Sequence, residues 1–112
     1  MVLRNARTGG VVADTLLPAF DSASRRTGLL KHDSLDARTA MVIAPTNAVH
    51  TFFMRFPIDI AFVARDGRIL KIAANVRPWR IAAAWGGYAV VEMAAGSFER
   101  SRTAAAYTLV LE

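Results

Sequence analysis

Residues 58–76 read Ile58-Asp59-Ile60-Ala61-Phe62-Val63-Ala64-Arg65, then Asp66-Gly67, then Arg68-Ile69-Leu70-Lys71-Ile72-Ala73-Ala74-Asn75-Val76. Two strand-like runs flank Asp-Gly, a pair that tolerates the positive φ angles of a type I′ turn, so the stretch predicts a two-residue hairpin at 66–67. In that register Arg65 faces Arg68, Val63 faces Leu70, Ala61 faces Ile72 and Asp59 faces Ala74, all on one side because side chains alternate along a strand. The other side carries Ile58, Ile60, Phe62, Ala64, Ile69 and Ala73. A hairpin apolar on both faces must be covered on both, as in a closed barrel, a sandwich corner or a sheet with helices against it.

Working outward, further strands are expected over 10–17, 40–44, 50–54, 88–95 and 106–111, which is the spacing of a β-rich fold. One helix is expected over 21–30, opened by Asp21 or Ser22 as N-cap and weakened at Thr27-Gly28, and a shorter one over 97–103. Gly86-Gly87, Gly96 and the prolines at 18, 45, 57 and 78 read as turns. The expected fold class is therefore mainly β (α+β), a small barrel-like or sandwich-like antiparallel sheet with one short helix near residues 21–30. No repeat, linker or low-complexity segment interrupts it, so 1–112 is expected to form one domain.

Composition limits the chemistry. The chain has 112 residues, 54% of them hydrophobic and 21% charged, enough apolar surface to offset the entropy of ordering. It has no cysteine, which removes disulfides, thiolate metal sites and a cysteine nucleophile. No apolar run approaches the roughly 20 residues of a membrane span. The start, Met1-Val2-Leu3-Arg4-Asn5, lacks the apolar core of a secretory signal. A soluble cytoplasmic protein is the default expectation, and an exported mature domain would look the same once its signal was removed. The net charge of +5 raises nucleic acid as a partner, but the basic residues are spread along the chain with no run longer than Arg25-Arg26. A solvated basic surface accounts for that distribution more simply.

The block His50-Thr51-Phe52-Phe53-Met54-Arg55-Phe56-Pro57-Ile58-Asp59-Ile60-Ala61-Phe62, followed by Asp66-Gly67-Arg68, resembles the signature of the family known as domain of unknown function 192. Arg26-Thr27-Gly28-Leu29-Leu30 is similar to that family's Arg-x-Gly-Leu-Met turn, and Ala40-Met41-Val42-Ile43 to its Gly-Met-Leu-Phe-type strand. Downstream, Arg77-Pro78-Trp79-Arg80 and Val90-Val91-Glu92-Met93-Ala94-Ala95-Gly96 are similar to its Pro-Trp-Arg and Leu-Glu-x-x-x-Gly elements. Leu30 stands where methionine is common, Ala40 where glycine is common, and residues 97–103 lack the late Gly-x-x-x-Gly-Asp pattern. The resemblance implies a small, mainly β, barrel-like domain of bacterial or archaeal type, exported in some members, with no established activity.

Within these motifs Asp59 is the most informative position. A carboxylate opening a strand on an apolar face costs several kcal/mol if buried alone, so it needs a partner or a place at the mouth of a cavity. Arg55, His50 and Arg26 are the candidate partners. Capping of backbone amides near Pro57, a rim carboxylate beside a ligand, and a catalytic acid or base remain the three readings. His50 has only His32 as a histidine companion, and neither lies in a ligand-spaced motif, so no metal site is expected. Trp79 with Arg80 suits a planar or anionic ligand, or equally the closing of one end of a barrel. Phe52, Phe53, Met54 and Phe56 are expected in the core rather than on a base-stacking platform. No phosphate loop, nucleophile elbow or metalloprotease motif occurs, so no catalytic residue and no cofactor is assigned. The favoured reading is a non-catalytic module binding a small polar or anionic ligand near Arg26, His50, Arg55, Asp59, Trp79 and Arg80. Its rivals are a nucleic-acid or acidic-protein binding module and a hydrolase-like enzyme using Asp59 and His50.

Overall fold

The computed structural model describes residues 1–112. Its elements in chain order are β1 (Leu3–Asn5), β2 (Val11–Ala13), β3 (Thr15–Ala19), α1 (Ser22–Thr27), β4 (Thr39–Ile43), β5 (Ala48–His50), β6 (Ile58–Val63), β7 (Ile69–Val76), β8 (Ile81–Ala83), β9 (Ala89–Ala94), α2 (Ser97–Arg100) and β10 (Leu109–Leu111). A five-stranded sheet in the order β3-β4-β9-β6-β7 forms the middle. A three-stranded sheet, β10-β1-β2, and a two-stranded ribbon, β5-β8, complete the β structure.

The mainly β class stands, with a short helix in each of the two expected places, and the sheets do not close into a barrel. Nor is the large sheet wholly antiparallel. β3 runs parallel to β4, a pairing that requires a crossover connection, here carried by α1. Pro18, expected in a turn, lies within β3, at the sheet edge where a missing N–H costs no ladder bond.

All six residues of β6 are buried, as an apolar run covered on both sides requires. On one face Ala61, Val63, Val91 and Met93 pack with Leu3, Val12, Ala13 and Leu109 of the three-stranded sheet. On the other, Ile58, Ile60, Phe62, Val90, Met41 and Ile43 pack with Ala19, Leu29 and Met54, and with Val49 and Ala82 of the ribbon.

The hairpin lies at Asp66-Gly67 but has three loop residues instead of two. Ala64 N–H donates to the Arg68 carbonyl and Gly67 N–H to the Ala64 carbonyl, so Arg65, Asp66 and Gly67 form the loop. Only Gly67 takes a positive φ, +93°, while the Asp66 carboxylate accepts from Arg68 N–H. This is a turn followed by a glycine bulge rather than a type I′ turn. Val63 therefore faces Ile69, and a bulge between Phe62 and Val63 restores the expected opposition of Ala61 and Ile72. Ile69 moves onto the face of Val63 in consequence.

Other expectations are corrected by local geometry. The predicted strand 50–54 stops at His50, and the chain then turns, with Phe53 at φ +65°. The predicted strand 10–17 divides at Asp14 into β2 and β3, which belong to different sheets. Helix α1 covers only Ser22–Thr27: Asp21 caps it by accepting from Ser24 N–H at 2.7 Å, and Gly28, φ +47°, ends it.

Candidate functional site

Strand β9 alternates its side chains between the two cores. Val91 and Met93 enter one, and Val90 enters the other, so Glu92 must share the face of Val90. There it lies between Met41 of β4 and Ile60 of β6, its direct cross-strand neighbours, and is only 3% exposed. None of the chain's three ion pairs involves it; these are Arg4–Glu112, Arg38–Asp14 and Arg55–Asp33. No protein donor reaches its carboxyl, and no fully enclosed side-chain oxygen in the molecule lacks a partner, so the carboxyl opens into the adjacent cavity. Burial in these apolar surroundings pushes its pKa up to about 7.

That cavity, about 520 Å³, lies between α1 with its following turn and the ribbon strand β5. Leu29, Leu30, Ile43, Val49 and Met54 supply its apolar wall, while Arg25, Arg26 and His50 supply nitrogen groups. Arg25 is committed locally, donating to the Phe20 carbonyl at 2.6 Å. The Arg26 side chain is exposed and makes no hydrogen bond or ion pair with the protein. The imidazole of His50 accepts from Phe52 N–H at Nδ1, 3.2 Å away, and stacks on the Phe52 ring. A deep unpaired carboxyl, an apolar wall, the hydroxyl residues Ser22, Thr27 and Thr46 and an outer guanidinium form a concave site of mixed lining.

Of the residues singled out from the sequence, Arg26 and His50 line this cavity and the other four do not. Asp59, 2% exposed, points to the opposite face of the sheet. Its Oδ1 accepts from Asn75 N–H at 2.9 Å, and its Oδ2 from Gly96 N–H at 3.0 Å and Phe98 N–H at 3.2 Å. None of Arg55, His50 and Arg26 is its partner. Asp59 instead ties the end of β7 and the start of α2 to β6, and both oxygens are consumed in doing so. Arg55 is exposed and pairs with Asp33. Trp79 is 56% exposed at φ +69°, packed on Phe53 with ring centroids 4.7 Å apart, and Arg80 donates to the Trp79 carbonyl. Phe53 is 69% exposed rather than in the core.

Glu92 is the residue that sequence reasoning passed over. It was visible as the single carboxylate in the apolar run Ala89–Ala94, set on the opposite face from Val91 and Met93. A second cavity of about 630 Å³, near the hairpin turn and β10, is lined mostly by apolar residues such as Leu3, Val63, Val91 and Leu109. It offers no comparable convergence of polar groups.

The family model for domain of unknown function 192, described as Uncharacterized ACR, matches residues 5–110. The chain belongs to this family. A comparison with curated proteins gives no significant match. Among solved structures, a protein of unknown function from Novosphingobium aromaticivorans DSM 12444 is similar, with TM-score 0.86, 24% identity, and coverage of 99% of this chain and 84% of that one. A protein of Sinorhizobium meliloti 1021 described as a candidate transcription regulator is also similar, with TM-score 0.84, 23% identity, and coverage of 97% and 89%. At these identities the likeness establishes the shared fold of this domain of unknown function 192 protein. No helix of the structure is long and apolar enough to cross a membrane.

Proposed function

We propose that this domain of unknown function 192 protein is a non-catalytic binding module that takes a small polar ligand in the cavity between α1 and β5. The observation that carries the reading is Glu92, a buried carboxyl with no protein partner facing a cavity. Burying such a group unpaired costs free energy that a hydrophobic residue at the same position would not, so its presence points to a ligand. Arg26 at the rim and His50 on β5 give the site an anion-favouring mouth. The apolar wall between them suits a short carbon skeleton.

The test is a thermal-shift screen of carboxylic acids, amino acids, amines and polyols against the wild type, Glu92→Gln and Arg26→Ala. A ligand present at about 100 times its Kd stabilises by about 2.7 kcal/mol, which a melting curve resolves readily. Stabilisation of the wild type by at least one compound, lost in either variant, is the expected result. If no compound raises the melting temperature, the pocket reading falls.

A nucleic-acid module is the second reading, favoured by the exposed pair Phe53 and Trp79 beside Arg80 and by the net charge of +5. The similar Sinorhizobium protein described as a candidate transcription regulator adds to its interest. Counterion release makes such binding steeply salt-dependent, so failure to retain single- and double-stranded DNA and RNA at low salt removes it.

A further inference from the structure

The two ends of the cavity carry an acid and a cation that the protein leaves apart. Glu92 lies at its floor, and the free guanidinium of Arg26 lies at its rim; no ion pair joins them. Arg25 is spent on backbone carbonyls and the Ser22 hydroxyl. The rest of the lining is mixed: Leu29, Leu30, Ile43 and Met54 offer no hydrogen bond, and Ser22, Thr27 and Thr46 offer only neutral hydroxyls, so no countercharge for an ion lies between floor and rim. A ligand with a single charge would satisfy one end and leave the other unmatched.

We infer that the cavity takes a bipolar amino-acid-like molecule, with its ammonium on Glu92 and its carboxylate on Arg26, joined by a short apolar chain. This rests on the pocket reading above and narrows its ligand class. An ammonium is the group that allows Glu92 to ionise where it is buried, because it supplies both the donor and the countercharge that no protein group provides. The outer guanidinium is a fork suited to a carboxylate. A ligand that instead accepted a hydrogen bond from protonated Glu92 would show the reverse dependence on pH, so the two arrangements are separable.

The charged or titratable groups around the cavity are Arg25 and Arg26 from the helix, His50 from β5 and Glu92 itself. The sheet neighbours of Glu92, Met41 and Ile60, add none. Since the free Glu92 titrates near 7, ammonium binding draws off its proton, and affinity rises with pH until the free acid is ionised. Anion binding to the protonated acid would instead weaken over the same interval.

Calorimetry with the ω-amino acid series from β-alanine to ε-aminocaproate, and with butyrate and butylamine, at about pH 6 and about pH 8, tests the inference. At least one ω-amino acid should bind about tenfold or more tighter than either single-headed compound, and tighter at the higher pH. Glu92→Gln should abolish the pH dependence and the advantage over butyrate. Arg26→Ala should abolish the advantage over butylamine, and His50→Gln, which removes the other titratable group, should keep the pH dependence. Far-ultraviolet circular dichroism establishes that each variant is folded. If no ω-amino acid binds, if butyrate binds as well, or if affinity rises toward low pH, the amino-acid class is wrong. The pocket reading survives those outcomes whenever another compound of the thermal-shift screen binds and is lost in Glu92→Gln, and falls with the inference when none does.

Discussion

Asp59 and Glu92 are carboxylates on neighbouring strands, facing opposite sides of one sheet, and their surroundings give them opposite roles. Asp59 accepts hydrogen bonds from three backbone amides, those of Asn75, Gly96 and Phe98, and so joins β6 to two distant segments. That Asp59 needs a partner follows from its apolar strand; which partner does not, because a backbone N–H is present at nearly every residue and leaves no mark in the sequence. Arginines are visible in a sequence and draw attention, yet Arg55 is engaged by Asp33. Asp59→Asn separates these roles, since an amide offers only one oxygen and turns an NH₂ donor toward at least one backbone donor. Hydrogen bonds to charged acceptors contribute about 1.5–3 kcal/mol each, and a buried donor left unpaired adds its own cost, so the variant should lose about 2–4 kcal/mol. Urea denaturation at neutral pH should show a lower midpoint with an unchanged slope. An unchanged midpoint would mean that Asp59 does not hold these segments together.

At the scale of elements, the hairpin was readable from Asp66-Gly67 and its apolar flanks, whereas its register was not. Register depends on which loop residue takes the left-handed conformation, and here the chain beyond the hairpin decides it: Gly67 lies against β10, with Leu109 N–H donating to its carbonyl. A Cβ at position 67 would meet the Leu109 carbonyl oxygen, while one at Gly9, also at positive φ (+75°), meets nothing within 4 Å. Gly67→Ala should therefore cost about 3 kcal/mol or more, and Gly9→Ala about 1 kcal/mol from the backbone conformation alone. Equal losses in thermal melts of the two variants would show that contact with β10 is unimportant. The missed end of β5 has a similar cause. Thr51 is buried, donates from its hydroxyl to the Arg77 carbonyl at 2.6 Å, accepts there from Arg80 N–H at 2.9 Å, and accepts from Trp79 N–H at its own carbonyl. These bonds pull residue 51 toward the 77–80 turn and leave Phe53 and Trp79 exposed together. Thr51→Val keeps the shape and removes the hydroxyl, so about 1–3 kcal/mol should be lost and the near-ultraviolet circular dichroism of the Phe53–Trp79 pair should weaken. Retention of both signals would place the lock elsewhere.

Over the whole molecule, the β class was legible because β6 is apolar on both faces and such a strand must be interior. The sheet order was not, since strands of three residues such as β1, β5 and β8 are too short to show a period, and the parallel pairing of β3 with β4 depends on where α1 carries the chain. The interior that results makes Glu92 costly to ionise, and this couples the stability of the entire fold to pH. Glu92 binds its proton more tightly when folded, with a pKa about 7 against an ordinary value of 4.5, so the folded state gains most below about 4.5, where the acid is protonated in both states. As pH rises the unfolded chain releases this proton first, and the contribution shrinks through about 7 before levelling. The difference corresponds to about 3 kcal/mol, an appreciable share of the 5–15 kcal/mol typical of a folded protein. Glu92→Gln, neutral at every pH, should match the wild type at about pH 4 and exceed it by about 3 kcal/mol at about pH 8. Urea unfolding of both proteins across that range measures the difference directly. Parallel pH profiles would mean that Glu92 ionises without cost, through water or a partner of its own, and would remove the reason for assigning it a ligand. A widening gap would show that the fold carries at position 92 a charge that destabilises it, which is the trade expected where binding rather than stability sets the residue.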